Sequence, residues 1–330
     1  MKNTKLTSVK ILESLYERFK LNTVNTKMTL QKLTNRSVDR FLTDEKYREE
    51  IETSTYLAHG DIRLSNPIYL GRLTEEGSIE NIFYEVAASM GLLFNSNKLL
   101  DNTNQSMNSS LLIPHSEFLN KDNSGIKCIT IDYNQIQQIE ELSKNDIHIM
   151  VRFPSNEKTI NLIPSVIEQK ITGIIIDWDF ENNQNTIDLA ICTSEVDNIL
   201  RNTRINTTIA RNEINLLVEG SRIRMAADIF KLVGLGADAV GISKAALLSI
   251  NYDPKKFRND SNESNFDQDK TREKLEYTIL AMQKEIKLLA GAAGISSIQN
   301  SLLGNRELFR TVDLDPLIRK RLGIKAGGSP

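Results

Sequence analysis

Between Asn66 and Ser243 the chain alternates short apolar runs with helical or polar stretches of similar length. The runs are NPIYLG, GLLFN, SLLIP, IKCITID, IHIMVRF, GIIIDW, INLLVEG and DAVGIS, eight in all. They lack polar alternation and are rich in β-branched and aliphatic residues, which suits strands buried on both faces, as parallel strands are beneath covering helices. Eight such units predict an α/β fold, a closed (β/α)8 TIM barrel, over an open sheet.

Apolar residues three or four apart predict helices over 78–90, 134–143, 163–169, 194–201 and 224–235, with Thr193-Ser194-Glu195 as an N-cap for the fourth. Leu275, Ile279, Met282, Ile286 and Leu289 mark the eighth barrel helix, and Gly294 is placed to end it. Residues 98–125 and 251–272 are polar and Asn/Ser-rich, and are expected to form an exposed loop and a mobile insertion. The predicted organisation is an N-terminal helical extension over 1–60, the barrel over 61–295 and a C-terminal tail over 296–330. That tail is basic and is expected to wrap over a neighbour or over the barrel base.

Leu12, Leu15, Tyr16 and Phe19 describe one amphipathic helix in the extension, where nine Lys or Arg face three Asp or Glu within forty residues. The favoured reading is a helix packed on the barrel or on a partner chain. Net charge over all 330 residues is only -2, so no global cationic field points to nucleic acid or membrane. With no apolar run of membrane-spanning length, a cytoplasmic location is expected. The two cysteines, Cys128 and Cys192, have no metal or cluster spacing, and His59, His115 and His148 are scattered.

In barrels of this kind the turns after the seventh and eighth strands make a phosphate site. Here they read Gly220-Ser221-Arg222-Ile223-Arg224-Met225 and Gly241-Ile242-Ser243-Lys244. Arg152 ends the fifth run, where a charge is costly unless paired, so it reads as a site residue with Asp177 as its ion-pair partner or a polar cap. Asp177, Asp179 and Glu181 are spaced as a divalent cation could use, but no metal is assigned. Trp178, the single tryptophan, fits core packing or a stacking role at the mouth.

The segments GLGADAVGISKAALL and LEYTILAMQKEIKLLAGAAGISSIQNSLLGNRELFR resemble the C-terminal half of the FMN-binding synthase domain of glutamate synthases, particularly the short stand-alone archaeal type. NPIYLGRL, which holds Gly71, sits where that family has its first strand and a flavin contact. The resemblance implies a barrel with FMN at the C-terminal ends of the strands. It also implies electron transfer to 2-iminoglutarate, formed from 2-oxoglutarate and ammonia. On it, Gly71, Gly220, Ser221, Arg222, Arg224, Gly241, Ser243 and Lys244 are candidate cofactor residues, and Arg152 and Asp177 candidate catalytic ones.

The pattern departs from the family where the paired phosphate glycines become Ser221 and Arg222, the second Gly-x-Gly becomes Gly241-Ile242-Ser243, and the flavin-edge lysine becomes Arg152. The Gly-rich loop after strand six is replaced by DWDFENNQNTID, and the family's iron–sulfur cysteines have no counterpart. Electrons are therefore expected from a separate reductase or ferredoxin, since no dinucleotide fingerprint is present. The alternatives are a catalytically inactive barrel serving as partner or regulatory subunit, as of an intact glutamate synthase paralogue, and a barrel binding another phosphorylated metabolite; association into a homo-oligomer is compatible with each.

Overall fold

The computed structural model describes residues 43–44, 50–73, 79–98, 111–118, 126–145, 147–180, 187–252 and 267–328. Eight parallel strands close into a barrel: β1 (Ile68–Leu70), β2 (Phe94–Asn95), β3 (Leu111–Pro114), β4 (Cys128–Asp132), β5 (His148–Pro154), β6 (Gly173–Asp177), β7 (Asn215–Glu219) and β8 (Ala239–Ile242). Each lies within one of the eight apolar runs, except that β5 extends one residue further, to Pro154. Neighbours follow chain order, and β8 closes on β1 through Val240 opposite Ile68 and Ile242 opposite Leu70.

Each strand or its immediate start sends one residue into a buried inner cluster: Tyr69, Leu93, Leu112, Cys128, Met150, Ile175, Leu217 and Ala239. Leu57, Ala58, Ile62 and Leu64 join this cluster from a hairpin in which Thr55–Leu57 pairs with Ile62–Leu64. That hairpin plugs the barrel base, and the Ala58 amide donates to Asn215 Oδ1 at 2.7 Å. It straddles the expected boundary at 60–61, because its inward side chains belong to the barrel core. The amphipathic helix at 12–19 and most of the two polar insertions lie outside the described residues.

The outer layer includes α1 (Ile79–Met90), α2 (Glu157–Ile167), α3 (Leu189–Asn202), α4 (Ala226–Leu235), the short α5 (Lys244–Ser249) and α6 (Gln268–Ala292). α6 packs against both α4 and α1, so it fills the place of the eighth helix. It ends at Gly294 (φ +73°), with the Ile295 amide donating to Ala290 O at 2.8 Å, a closure that favours glycine.

Three helix boundaries differ from expectation. α3 starts five residues earlier than predicted, because Asp188 accepts from the Ala190 amide and caps it. Thr193 and Ser194 are buried inside the helix, where their hydroxyls donate to Leu189 O and Leu322 O. α2 likewise starts at Glu157, capped by Asn156. The stretch predicted as one helix over 134–143 is a 3-10 segment (Tyr133–Gln138) followed by one α turn (Ile139–Leu142).

The tail contains α7 (Pro316–Leu322) and clamps α3 and the end of α4. The Gly304 amide donates to Val233 O, while Arg306 reaches Asp197 Oδ2 and Ser194 O, each at 2.9 Å. Asp197, with no exposed surface, is held by Arg201, Arg211 and Arg306 together. Among the described residues no helix is long and apolar enough to cross a membrane.

Candidate functional site at the barrel mouth

Because side chains alternate along a strand, the residue two positions beyond the inner apolar cluster points inward again at the C-terminal end. On β6 and β7 those residues are Asp177 and Glu219, which face each other in register. On β5 the equivalent residue is Arg152, beside Asp132 of β4. An apolar floor is thus topped by a buried charged ring.

Glu219 is 1% exposed and accepts from Asn95 Nδ2 at 2.9 and 3.1 Å and from the Arg72 amide at 3.2 Å. Arg152 donates from Nε to Asp132 Oδ1 at 3.0 Å and pairs with Asp177 Oδ2 at 3.3 Å. Both carboxylates therefore compensate its burial. Burial and then the Glu219 charge raise the Asp177 carboxyl to about 7, against the pull of Arg152. Burial, with Glu219 adding to it, holds the Tyr69 phenol well above its ordinary value. Arg72 is lowered by burial first and by Arg152 second.

Two candidate cofactor glycines serve this ring directly. A Cβ on Gly241 would lie 2.6 Å from Tyr69 Cζ and 2.7 Å from Glu219 Cβ, and one on Gly71 would lie 3.1 Å from Glu219 Oε2. The space these glycines leave is filled by the chain's own side chains.

The turn after β6 closes over the ring. The Trp178 amide donates to Glu219 O at 3.0 Å and the Asp179 amide to Asp177 Oδ1 at 2.8 Å. Gly220 (φ +143°) is pressed against this turn, since a Cβ there would sit 2.5 Å from Trp178 Cβ. The three side chains then diverge. Trp178 lies under Arg222, whose Cζ is 4.6 Å from the indole centroid. Asp179 accepts from the Ser221 amide at 2.6 Å and the Ser221 hydroxyl at 2.7 Å. Phe180 covers Arg152, whose Cζ is 4.0 Å from the ring centroid. The Asp177, Asp179, Glu181 grouping divides accordingly: Asp177 pairs with Arg152, Asp179 turns to Ser221, and Glu181 lies outside the described residues.

Of the residues predicted from sequence, Arg152, Asp177, Gly220 and Ser243 line one cavity of about 230 Å3, together with Arg72, Asn97, Asp179, Phe180 and Glu219. Ser221, Arg222, Arg224 and Lys244 do not line it, and the last three are exposed. Glu219, Arg72 and Asn95 were not predicted. The two-residue step from the inner cluster was the available signal for Glu219, from Leu217, and for Asn95, from Leu93; Arg72 is recognisable only from what it touches.

Two observations test the fit of FMN. The Ser221 amide and hydroxyl hold an oxyanion, with the Asp179 carboxylate as the stand-in, so the donor chemistry suits a phosphate. The cavity, however, is below the ~300–1,000 Å3 usual for a ligand of drug or cofactor size, and Phe180 and Trp178 cover the two arginines. In this conformation the phosphate chemistry fits and the whole cofactor does not.

Residues 80–307, more than half of the chain, match the family model described as the glutamate synthase central domain. The archaeal glutamate synthase [NADPH] of Methanocaldococcus jannaschii is 36% identical over 136 residues, 36% of this chain and 25% of that protein. Its counterpart in Archaeoglobus fulgidus is 34% identical over 160 residues, 43% of this chain and 29% of the relative. The matched segment thus spans about a quarter of those relatives. Among solved structures, the flavin-binding domain of baker's yeast flavocytochrome b2 superposes with a TM-score of 0.55 at 14% identity, covering 86% of this chain and 80% of that one. A mandelate oxidase mutant gives 0.53 at 13% identity, covering 76% and 81%. At such identities these two establish the barrel fold alone.

Proposed function

The chain belongs to the glutamate synthase central domain family, and from that premise we propose that it is an FMN-dependent oxidoreductase unit of the glutamate synthase type with its reaction site at the barrel mouth. The observation that carries this reading is the oxyanion-holding pair at Ser221, on the turn after the seventh strand. FMN, when bound, supplies the electron transfer.

The chain's own residues supply the setting. Ser221 offers one amide and one hydroxyl to a phosphate oxygen. Arg152, fixed by Asp132 and Asp177, presents a preset cation at the end of β5. Asp177, with its pKa raised to about 7, holds a proton near neutrality beside that cation, which is the condition for giving or taking one there. The proposed reaction is reduction of 2-iminoglutarate, formed from 2-oxoglutarate and ammonia, with electrons from a separate reductase or ferredoxin.

The test is a visible absorption spectrum of the purified protein, followed by FMN titration and an assay for glutamate formation with a chemically reduced donor. A flavin spectrum, or saturable binding in the micromolar range (~-8 kcal/mol), together with glutamate formation, is the expected result. A colourless protein that neither binds FMN nor forms glutamate overturns it.

A second reading is favoured by one observation: Trp178, Asp179 and Phe180 already engage Arg222, Ser221 and Arg152. On it, the barrel lacks turnover and serves as partner or regulatory subunit to an intact synthase. Co-purification of the colourless protein with such a synthase is its signature.

A further inference from the structure

Three consecutive side chains of one turn contact three of the residues that the sequence marks for the cofactor and the catalytic site. The contacts differ in chemistry, and each matches its target: indole face to guanidinium at Arg222, carboxylate to amide and hydroxyl at Ser221, phenyl face to guanidinium at Arg152. A carboxylate bound by two converging donors is a close mimic of two oxygens of a phosphate. We propose that the Trp178-Asp179-Phe180 turn is an internal plug whose Asp179 carboxylate occupies the place of a phosphate monoester, so that such a ligand binds only by displacing it. The inference rests on the phosphate-binding reading of the mouth given above.

The plug is built to be displaceable. Asp179 is exposed, so swinging it out returns a carboxylate to water, whereas Trp178 packs on the core and Phe180 meets Tyr133 edge-on, and the apolar surface they uncover is a cost the incoming ligand must offset. Two backbone bonds anchor the turn, from the Trp178 amide to Glu219 O and from the Asp179 amide to Asp177 Oδ1. Both lie at the root of the turn, and the side chains pivot beyond them. Displacement frees the Ser221 donors, releases the Arg222 guanidinium from the indole and uncovers Arg152, enlarging a cavity of about 230 Å3. Like-charge exclusion adds to the competition, because a phosphate cannot share the Ser221 donors with an ionised Asp179.

Trp178 is the only tryptophan, so its emission reports the plug directly. The experiment titrates FMN, ribose 5-phosphate and riboflavin into the wild-type full chain, Asp179→Ala and Asp179→Asn, following tryptophan fluorescence and calorimetry. Melting curves check that each variant folds. The expected result is a gain in affinity of at least tenfold for FMN and ribose 5-phosphate in Asp179→Ala, a smaller gain in Asp179→Asn, no gain for riboflavin, and an emission change when the wild type is saturated. A gain for FMN alone makes flavin the source of the phosphate; a gain for both makes the site general for phosphate monoesters.

Equal affinity of wild type and both variants for FMN overturns the plug and leaves the flavin reading intact. An equal gain for riboflavin also overturns it, since the carboxylate then competes with something other than phosphate. Absence of binding to every form overturns the plug and the flavin reading together.

Discussion

Asp177 and Glu219 stand opposite one another in register on adjacent parallel strands, and both carboxylates point into the barrel. Arg152 pairs with Asp177, while Glu219 is held by the Asn95 amide group and a backbone amide. The two acids therefore sit in unequal settings: Asp177 faces a guanidinium and Glu219 is held by neutral donors.

This inequality sets a pH dependence. The Asp177 pKa is raised to about 7, chiefly by burial and then by Glu219. Between the ordinary carboxylate value and about 7 the folded chain keeps a proton that the unfolded chain has released, so this group's contribution to stability falls as pH rises across that window. We expect Asp177→Asn to remove that slope and Glu219→Gln to narrow the window by lowering the Asp177 pKa. Denaturant unfolding at several pH values between 4 and 8 checks both; an unchanged slope in Asp177→Asn would remove Asp177 as its source.

Deleting the Glu219 side chain has a different consequence from neutralising it. Glu219→Ala leaves the buried Asn95 amide group and the Arg72 amide without their acceptor, at a cost of ~1–3 kcal/mol for each group stranded. Glu219→Gln keeps an acceptor oxygen and is expected to be milder. Equal losses in the two variants would show that the carboxylate's hydrogen bonds contribute nothing.

The glycines beside Glu219 should rank by the space they leave. Gly241→Ala places a methyl within 2.7 Å of both Tyr69 and Glu219, whereas Gly71→Ala meets one carboxylate oxygen at 3.1 Å. Overpacking of this kind costs ~1–3 kcal/mol, with Gly241→Ala the more damaging. Thermal melting of both variants decides, and the reverse order would contradict the packing.

At the base, Asp197 collects three arginines with no exposed surface of its own. Asp197→Ala leaves Arg211 to its remaining pair with Asp238 and Arg306 with neutral oxygen acceptors only, and is expected to cost up to ~3–5 kcal/mol. Because Arg306 anchors the start of the tail to α3, the same variant should speed proteolytic clipping after Leu303. A tail that stays equally resistant would show that Gly304 and α7 hold it unaided.

What the sequence determined by itself was the barrel. A strand covered on both faces is mainly apolar, with polar residues confined to its ends, so all eight strands were visible as local runs, and α6 was visible in its 3.6-residue period together with Gly294. The start of α3 was misjudged because Thr193 and Ser194 mimic a cap, and only burial under the tail shows them to be interior. Tertiary structure alone decided the mouth. Glu219, Asn95 and Arg72 lie far apart in the chain and meet only because closure of the barrel and its register bring them together. The engagement of Ser221, Arg222 and Arg152 by residues 178–180 likewise depends on the spatial adjacency of β5, β6 and β7. The chain order of the strands suggests that adjacency, but no local pattern specifies which side chains meet across it.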